Sequence, residues 1–208
     1  MKAWSLAWNV ADMPLADGAI RVIQVRRTGK GRLSCVVGSG TEAVVIDPSV
    51  PPDVYLDLAH RFGWTIRCVL ETHIHADHLS RARGLATQTG AAILLPPQER
   101  ATFPFTAVAD GERIQVGNAT LTAIHTPGHT NESTSYLLNE AAVFTGHTLF
   151  INGVGRPDLH AEPEGVRQRA RALFLSLTRL RRLPPGVLVC RHIRASRPRS
   201  TGNRTRND

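Results

Sequence analysis

Residues 72–78 read Thr72-His73-Ile74-His75-Ala76-Asp77-His78, with three imidazoles and one carboxylate crowded into a single short stretch. The run Ile66–Leu70 before it has the character of a buried strand, and Leu79–Thr89 after it, closed by Gly90, has that of a helix. A strand end followed by a tight loop points alternate side chains toward one spot. Imidazole and carboxylate are the donors that Zn²⁺ and Fe²⁺ take. Four such groups held together would compete for solvent unless a cation organised them. The segment therefore predicts a metal site at the end of a strand in an α/β chain.

Outward from this segment the same alternation continues. Ile20–Val25, Leu33–Val37 and Ala43–Ile46 are strand-like runs punctuated by Gly29, Gly31, Gly38 and Gly40. Asp53–Phe62 places Val54, Leu58 and Phe62 four apart, the spacing of an amphipathic helix. Ala92–Leu95 is a further strand, stopped by Pro96 and Pro97. The second half repeats the scheme loosely. Arg113–Val116, Ala119–His125, Ser135–Leu138 and Ala142–Thr145 predict strands, residues 163–182 a helix, and Val187–Cys190 a last strand.

The chain has 208 residues, 42% hydrophobic and 20% charged, an ordinary composition for a folded domain. Its net charge of +8 suggests a polyanion partner at first sight. The excess is local: residues 165–208 carry twelve Arg and one acid, whereas residues 1–164 are mildly acidic. Residues 191–208 hold six Arg and almost nothing apolar, so they predict a tail outside the domain formed by residues 1–190. Three cysteines, Cys35, Cys68 and Cys190, argue against a disulfide framework. No run is long enough for a membrane span, and the N-terminus is too weak for a signal peptide, so a cytoplasmic protein is expected.

Three more histidines sit in turn-like settings at strand ends: His129 in Thr126-Pro127-Gly128-His129-Thr130, His147 in Thr145-Gly146-His147-Thr148, and His192 after the last strand. With the first cluster they form one candidate ligand set, whereas His60, His125 and His160 lack such a setting. THIHADH, TPGHT and the run Gly146–Leu159 resemble the motifs of the metallo-β-lactamase superfamily, from about residue 19 to residue 192. The resemblance implies a four-layer αββα sandwich with a metal site at one edge. Within the superfamily, HADHLS and Gly146–Leu159 look most like the glutathione-thiol branch, which holds glyoxalase II and the persulfide dioxygenases. The resemblance implies His73, His75 and His129 at a first metal site and Asp77, His78 and His192 at a second. It implies one iron on His73, His129 and position 147 in the dioxygenases. It also places Arg156 near a thiol substrate, where a guanidinium suits carboxylates.

Two departures from the family pattern stand out. Position 147 is His where the family has a bridging Asp. An imidazole offers one lone pair and cannot bridge two cations, so a single-metal, three-His face is expected. The Pro-Gly turn before the last histidine is also missing, and the abrupt change of composition looks like a replaced C-terminus. The leading expectation is a persulfide dioxygenase-like enzyme with one Fe(II). The alternative is a glyoxalase II-type thioester hydrolase with one or two Zn(II), in which Asp77 orients the attacking water. A minor alternative is polyanion binding through the tail. The expected partners are a glutathione-like thiol or thioester and a second copy of the chain, with no specific nucleic acid and no membrane.

Overall fold

Four strands precede the first α-helix in the chain. The computed structural model describes residues 8–27, 33–76, 78–150, 152–158 and 162–190. The strands β1 (Trp8–Leu15), β2 (Ile20–Arg27), β3 (Leu33–Ser39) and β4 (Glu42–Ile46) are antiparallel neighbours. Three parallel strands extend the sheet: β5 (Thr65–Leu70), β6 (Ala92–Leu95) and β7 (Thr106–Ala107). The helix α1 (Pro52–Phe62) crosses from β4 to β5, and α2 (Ala82–Thr89) from β5 to β6. Pro52 opens α1 and Gly63 closes it in the left-handed conformation.

The second sheet is an antiparallel run of β8 (Arg113–Val116), β9 (Ala119–His125), β10 (Thr134–Leu138) and β11 (Ala142–Phe144). The helix α3 (Pro163–Leu180) leads to β14 (Leu188–Cys190), which joins the edge of this sheet parallel to β11. A small hairpin, β12 (Leu149–Phe150) and β13 (Gly153–Val154), stands apart.

The two sheets bury one apolar layer between them, with Val22, Val37, Val44 and Leu70 facing Leu121, Tyr136, Leu138 and Phe144. A second layer lies outside the first sheet, where Ile23, Val36, Val45 and Val69 meet Val54, Tyr55 and Leu58 of α1 and Leu85 of α2. On the other side α3 approaches the turn after β9. The Ser176 hydroxyl donates to the Pro127 carbonyl at 2.8 Å. Gly128, at φ +142°, lies so close to the Leu173 backbone that a Cβ there would sit 2.6 Å from its Cα. The order helix, sheet, sheet, helix is the expected αββα sandwich of the metallo-β-lactamase fold.

Two segments differ from expectation. The helix predicted from Leu79 begins at Ala82, because Ser80 accepts the Ala82 N–H and donates to Glu71, leaving Leu79 exposed. β1, for which the sequence predicted no element, is an edge strand paired along its whole length with β2. All three cysteines are buried, and none forms a disulfide among the described residues. No described helix is long and apolar enough to cross a membrane.

Leu121 lies fully buried between the sheets. Leu121→Ala is expected to lower unfolding free energy by about 2–5 kcal/mol through lost burial and the cavity it leaves. Urea denaturation followed by circular dichroism measures this, with the m-value unchanged.

Candidate metal centre

The parallel neighbours β4 and β5 end at the same edge of the sandwich, and their ends carry Asp47 and the His73–His78 loop. Asp47 is buried and accepts the Thr72 N–H at 2.7 Å and the Thr72 hydroxyl at 2.8 Å. The Thr72 hydroxyl has one proton, and Asp47 receives it. The contact between Thr72 Oγ1 and His73 Nδ1, 2.9 Å, is therefore an N–H donated by the histidine. That tautomer leaves a lone pair on His73 Nε2, which is buried and has no hydrogen-bond partner. Gly146, at φ +49°, lets the chain pass so close to Thr72 that a Cβ would lie 2.3 Å from its hydroxyl oxygen.

The other half of the site comes from the second sheet. His129 Nδ1 lies 3.1 Å from the Arg156 carbonyl, which can only accept, so it too carries its proton on Nδ1. Its Nε2 faces His147 Nδ1 at 3.2 Å. The rings of His73 and His129 are 5.1 Å apart, those of His73 and His147 4.8 Å, and those of His129 and His147 4.9 Å. One ring nitrogen from each of these three buried residues falls within 4.8 Å of the others.

His75 and His78 flank this triad. The His75 ring is 4.1 Å from that of His73 and 4.2 Å from that of His78. Its Nε2 is engaged by Asp47 at 3.1 Å and Glu71 at 3.0 Å, so any contribution to an ion must come through Nδ1. Burial alone would lower the His75 pKa, but the two carboxylates outweigh it and raise it well above the ordinary value. Burial raises that of Glu71 in turn. His73 is displaced downward by burial and then by the neighbouring His75, which keeps it neutral and able to bind a cation.

A buried imidazole nitrogen with a lone pair and no partner, beside two further imidazoles, is a donor set that fits a divalent metal. Among the expected ligands the structure brings His73, His75, His78, His129 and His147 together. Asp77 and His192 lie outside the described residues. Arg156 is exposed and spends two N–H groups on Asp158, each at 2.9 Å, while its carbonyl orients His129. Sequence reasoning passed over Asp47, Glu71 and the role of Thr72. The available signal was a lone acid ending an apolar run, Val44-Val45-Ile46-Asp47.

The family model of the metallo-beta-lactamase superfamily matches residues 27–192. The chain belongs to this superfamily. Two curated relatives carry the name hydroxyacylglutathione hydrolase. That of Rhodospirillum rubrum is 35% identical over 86% of this chain and 63% of its own length. That of Methylococcus capsulatus is 37% identical over 74% and 58%. The chain thus spans about three fifths of the length of these relatives. A metallo-beta-lactamase from Staphylococcus aureus superposes with a TM-score of 0.80 at 30% identity, covering 86% of this chain and 58% of that one. ETHE1 from Myxococcus xanthus gives a TM-score of 0.67 at 28% identity, covering 90% and 76%. Both structures share the superfamily's sandwich.

Thr72 holds the tautomer of His73, so Thr72→Val is expected to weaken zinc binding about 10–100-fold, the usual cost of losing a hydrogen bond behind a metal ligand. Competition with a chromogenic chelator measures it. Affinity equal to that of the unaltered protein would show that the Asp47–Thr72–His73 chain does not set the tautomer.

Proposed function

We propose that this chain is a metal-dependent thioester hydrolase acting on acyl thioesters of a glutathione-like thiol, with one divalent ion held by His73, His129 and His147. The observation that carries the reading is its similarity, over as much as 86% of the chain, to proteins named hydroxyacylglutathione hydrolase. Zinc is the ion we assign, since three neutral imidazoles with an open fourth position are a donor set zinc takes. Bound there, a divalent ion supplies Lewis acidity to the thioester carbonyl and acidifies a water.

The chain's own residues do the rest. Asp47 and Thr72 keep the proton of His73 on Nδ1, and the Arg156 carbonyl does the same for His129. Donor nitrogens are thereby aimed before any ligand arrives, so little reorganisation is needed when the substrate binds. Asp47 and Glu71 hold His75 from behind, fixing its ring against His73 and His78. We assign Asp77 to orienting the attacking water and receiving its proton. His78 stands with its ring beside that of His75.

A second reading, oxidation of a persulfide with O₂ on one Fe(II), draws support from His147. With His73 and His129 it completes a three-imidazole face, and a single iron held there would keep positions for O₂ and a thiol.

The deciding experiment combines metal analysis with two assays on the purified protein. The expected result is zinc near one ion per chain and hydrolysis of S-lactoylglutathione that EDTA abolishes and Zn²⁺ restores. His73→Ala is expected to lose both the metal and the activity. Iron in the protein, oxygen uptake on glutathione persulfide and no thioester cleavage would replace this reading with the second.

A further inference from the structure

The helix α3 has one face that the fold uses and one that it does not. Leu173, Ser176 and Leu180 are buried. Ser176 donates to the Pro127 carbonyl and Leu173 lies against Gly128, so the inner face braces the turn that carries His129. The helical period turns Phe174 and Leu175 the other way. They are 68% and 58% exposed, and among the described large apolar side chains only Leu79 is more exposed.

The same period sets arginines around this pair. Arg167 and Arg171 lie seven and three positions before Phe174, and Arg181 and Arg182 lie seven after Phe174 and Leu175, so all share the outer side. All four arginines are exposed. Glu164, the acid on this side, is paired with Arg167 at 3.4 Å. Arg171, Arg181 and Arg182 enter no salt bridge among the described residues.

A single exposed apolar side chain is ordinary on a protein surface. A Phe-Leu pair ringed by guanidinium groups is complementary to something narrower, a partner that is anionic at its surface and apolar just beneath. A second copy of the chain does not meet this through the same face, because guanidinium groups would oppose guanidinium groups. The outer side of one helix is also convex, which suits a broad soft surface better than an extended acidic peptide. An anionic bilayer has both properties, phosphates outside and acyl chains below them. Residues 1–164 are mildly acidic, so attraction to such a surface is directed to this part of the chain.

We propose that the outer face of α3 docks this protein on an anionic phospholipid surface. Phe174 and Leu175 enter the interface, and Arg167, Arg171, Arg181 and Arg182 meet the phosphates. The expectation of no membrane partner rested on the lack of a span. No described helix is long and apolar enough to cross a membrane, and a helix lying in the interface needs no such length. The contacts to the His129 turn are on the inner face, so docking leaves them in place.

The test is sedimentation of the whole, metal-loaded chain with vesicles of phosphatidylcholine alone and of phosphatidylcholine mixed with phosphatidylglycerol. Binding is expected to the mixed vesicles only, and is expected to fall as salt is raised. Phe174→Ala combined with Leu175→Ala is expected to weaken it roughly tenfold, and Arg171→Gln combined with Arg182→Gln by roughly tenfold or more. Both variants alter exposed side chains, so circular dichroism and metal content are expected to match those of the unaltered protein. The first variant separates docking by α3 from plain attraction to charge, that of the six arginines in residues 191–208 included, which does not depend on Phe174 or Leu175. Mixed-vesicle binding that this variant leaves within about twofold overturns the proposal, as does equal binding to both kinds of vesicle or binding to neither. Binding to soluble polyglutamate in place of vesicles would overturn it too, and would assign the face to an acidic polypeptide.

Discussion

A carboxylate at the end of β4 sets the terms for everything at this edge of the sandwich. Asp47 is 3% exposed and sits at φ +50°, a left-handed conformation that costs a non-glycine residue about 1–2 kcal/mol. A buried charge in that position persists only if it is paired. The Thr72 N–H, the Thr72 hydroxyl and His75, which engage it, lie in the segment that follows β5. Asp47 therefore turns the adjacency of two parallel strands into a fixed relation between a loop and a sheet. The pairing also reaches across the sandwich, since the Tyr136 hydroxyl of the second sheet donates to the Glu71 carbonyl at 3.0 Å. Buried in this way, the anion orients both histidines of the His73-x-His75 pair from behind, His75 directly and His73 through one hydroxyl.

This explains which parts were legible in the sequence. The strands and helices whose apolar residues follow a clear period, such as β2 to β5 and α1, were readable to within one or two residues at most ends, because burial alone decides them. The histidine loop was readable because so many donors in so few residues have no ordinary use. β1 was not, because its exposed and half-exposed side chains give no alternating pattern, and only backbone pairing with β2 makes it a strand. Asp47 and Glu71 were not either. A single acid at a strand end is a common turn residue, and nothing local says that Asp47 will be enclosed by partners 25 or more positions away or that Glu71 will be buried against His75 and Ser80. Arg156 shows the opposite case. Its place in the chain matched a known pattern, yet the structure uses its carbonyl on His129 and its guanidinium on Asp158.

The substitution at position 147 has a consequence that electrostatics makes definite. Two unit charges 4 Å apart interact by about 4 kcal/mol at an effective dielectric near 20, so two dications at that distance repel by roughly four times as much. A bridging carboxylate between them offsets much of this. His147, buried against His129 and with its ring 4.8 Å from that of His73, brings no charge to the same place. Among the described residues Asp47 and Glu71 engage His75 from behind, and Glu132 accepts the Ile74 N–H and pairs with Arg100. Such a distribution favours one dication at the His73, His129 and His147 group and works against a second. The carboxylates that engage His75 would leave an ion bound by the three histidines without a fixed anion beside it among the described residues. The free positive charge there is what would hold an anionic nucleophile or a polarised carbonyl.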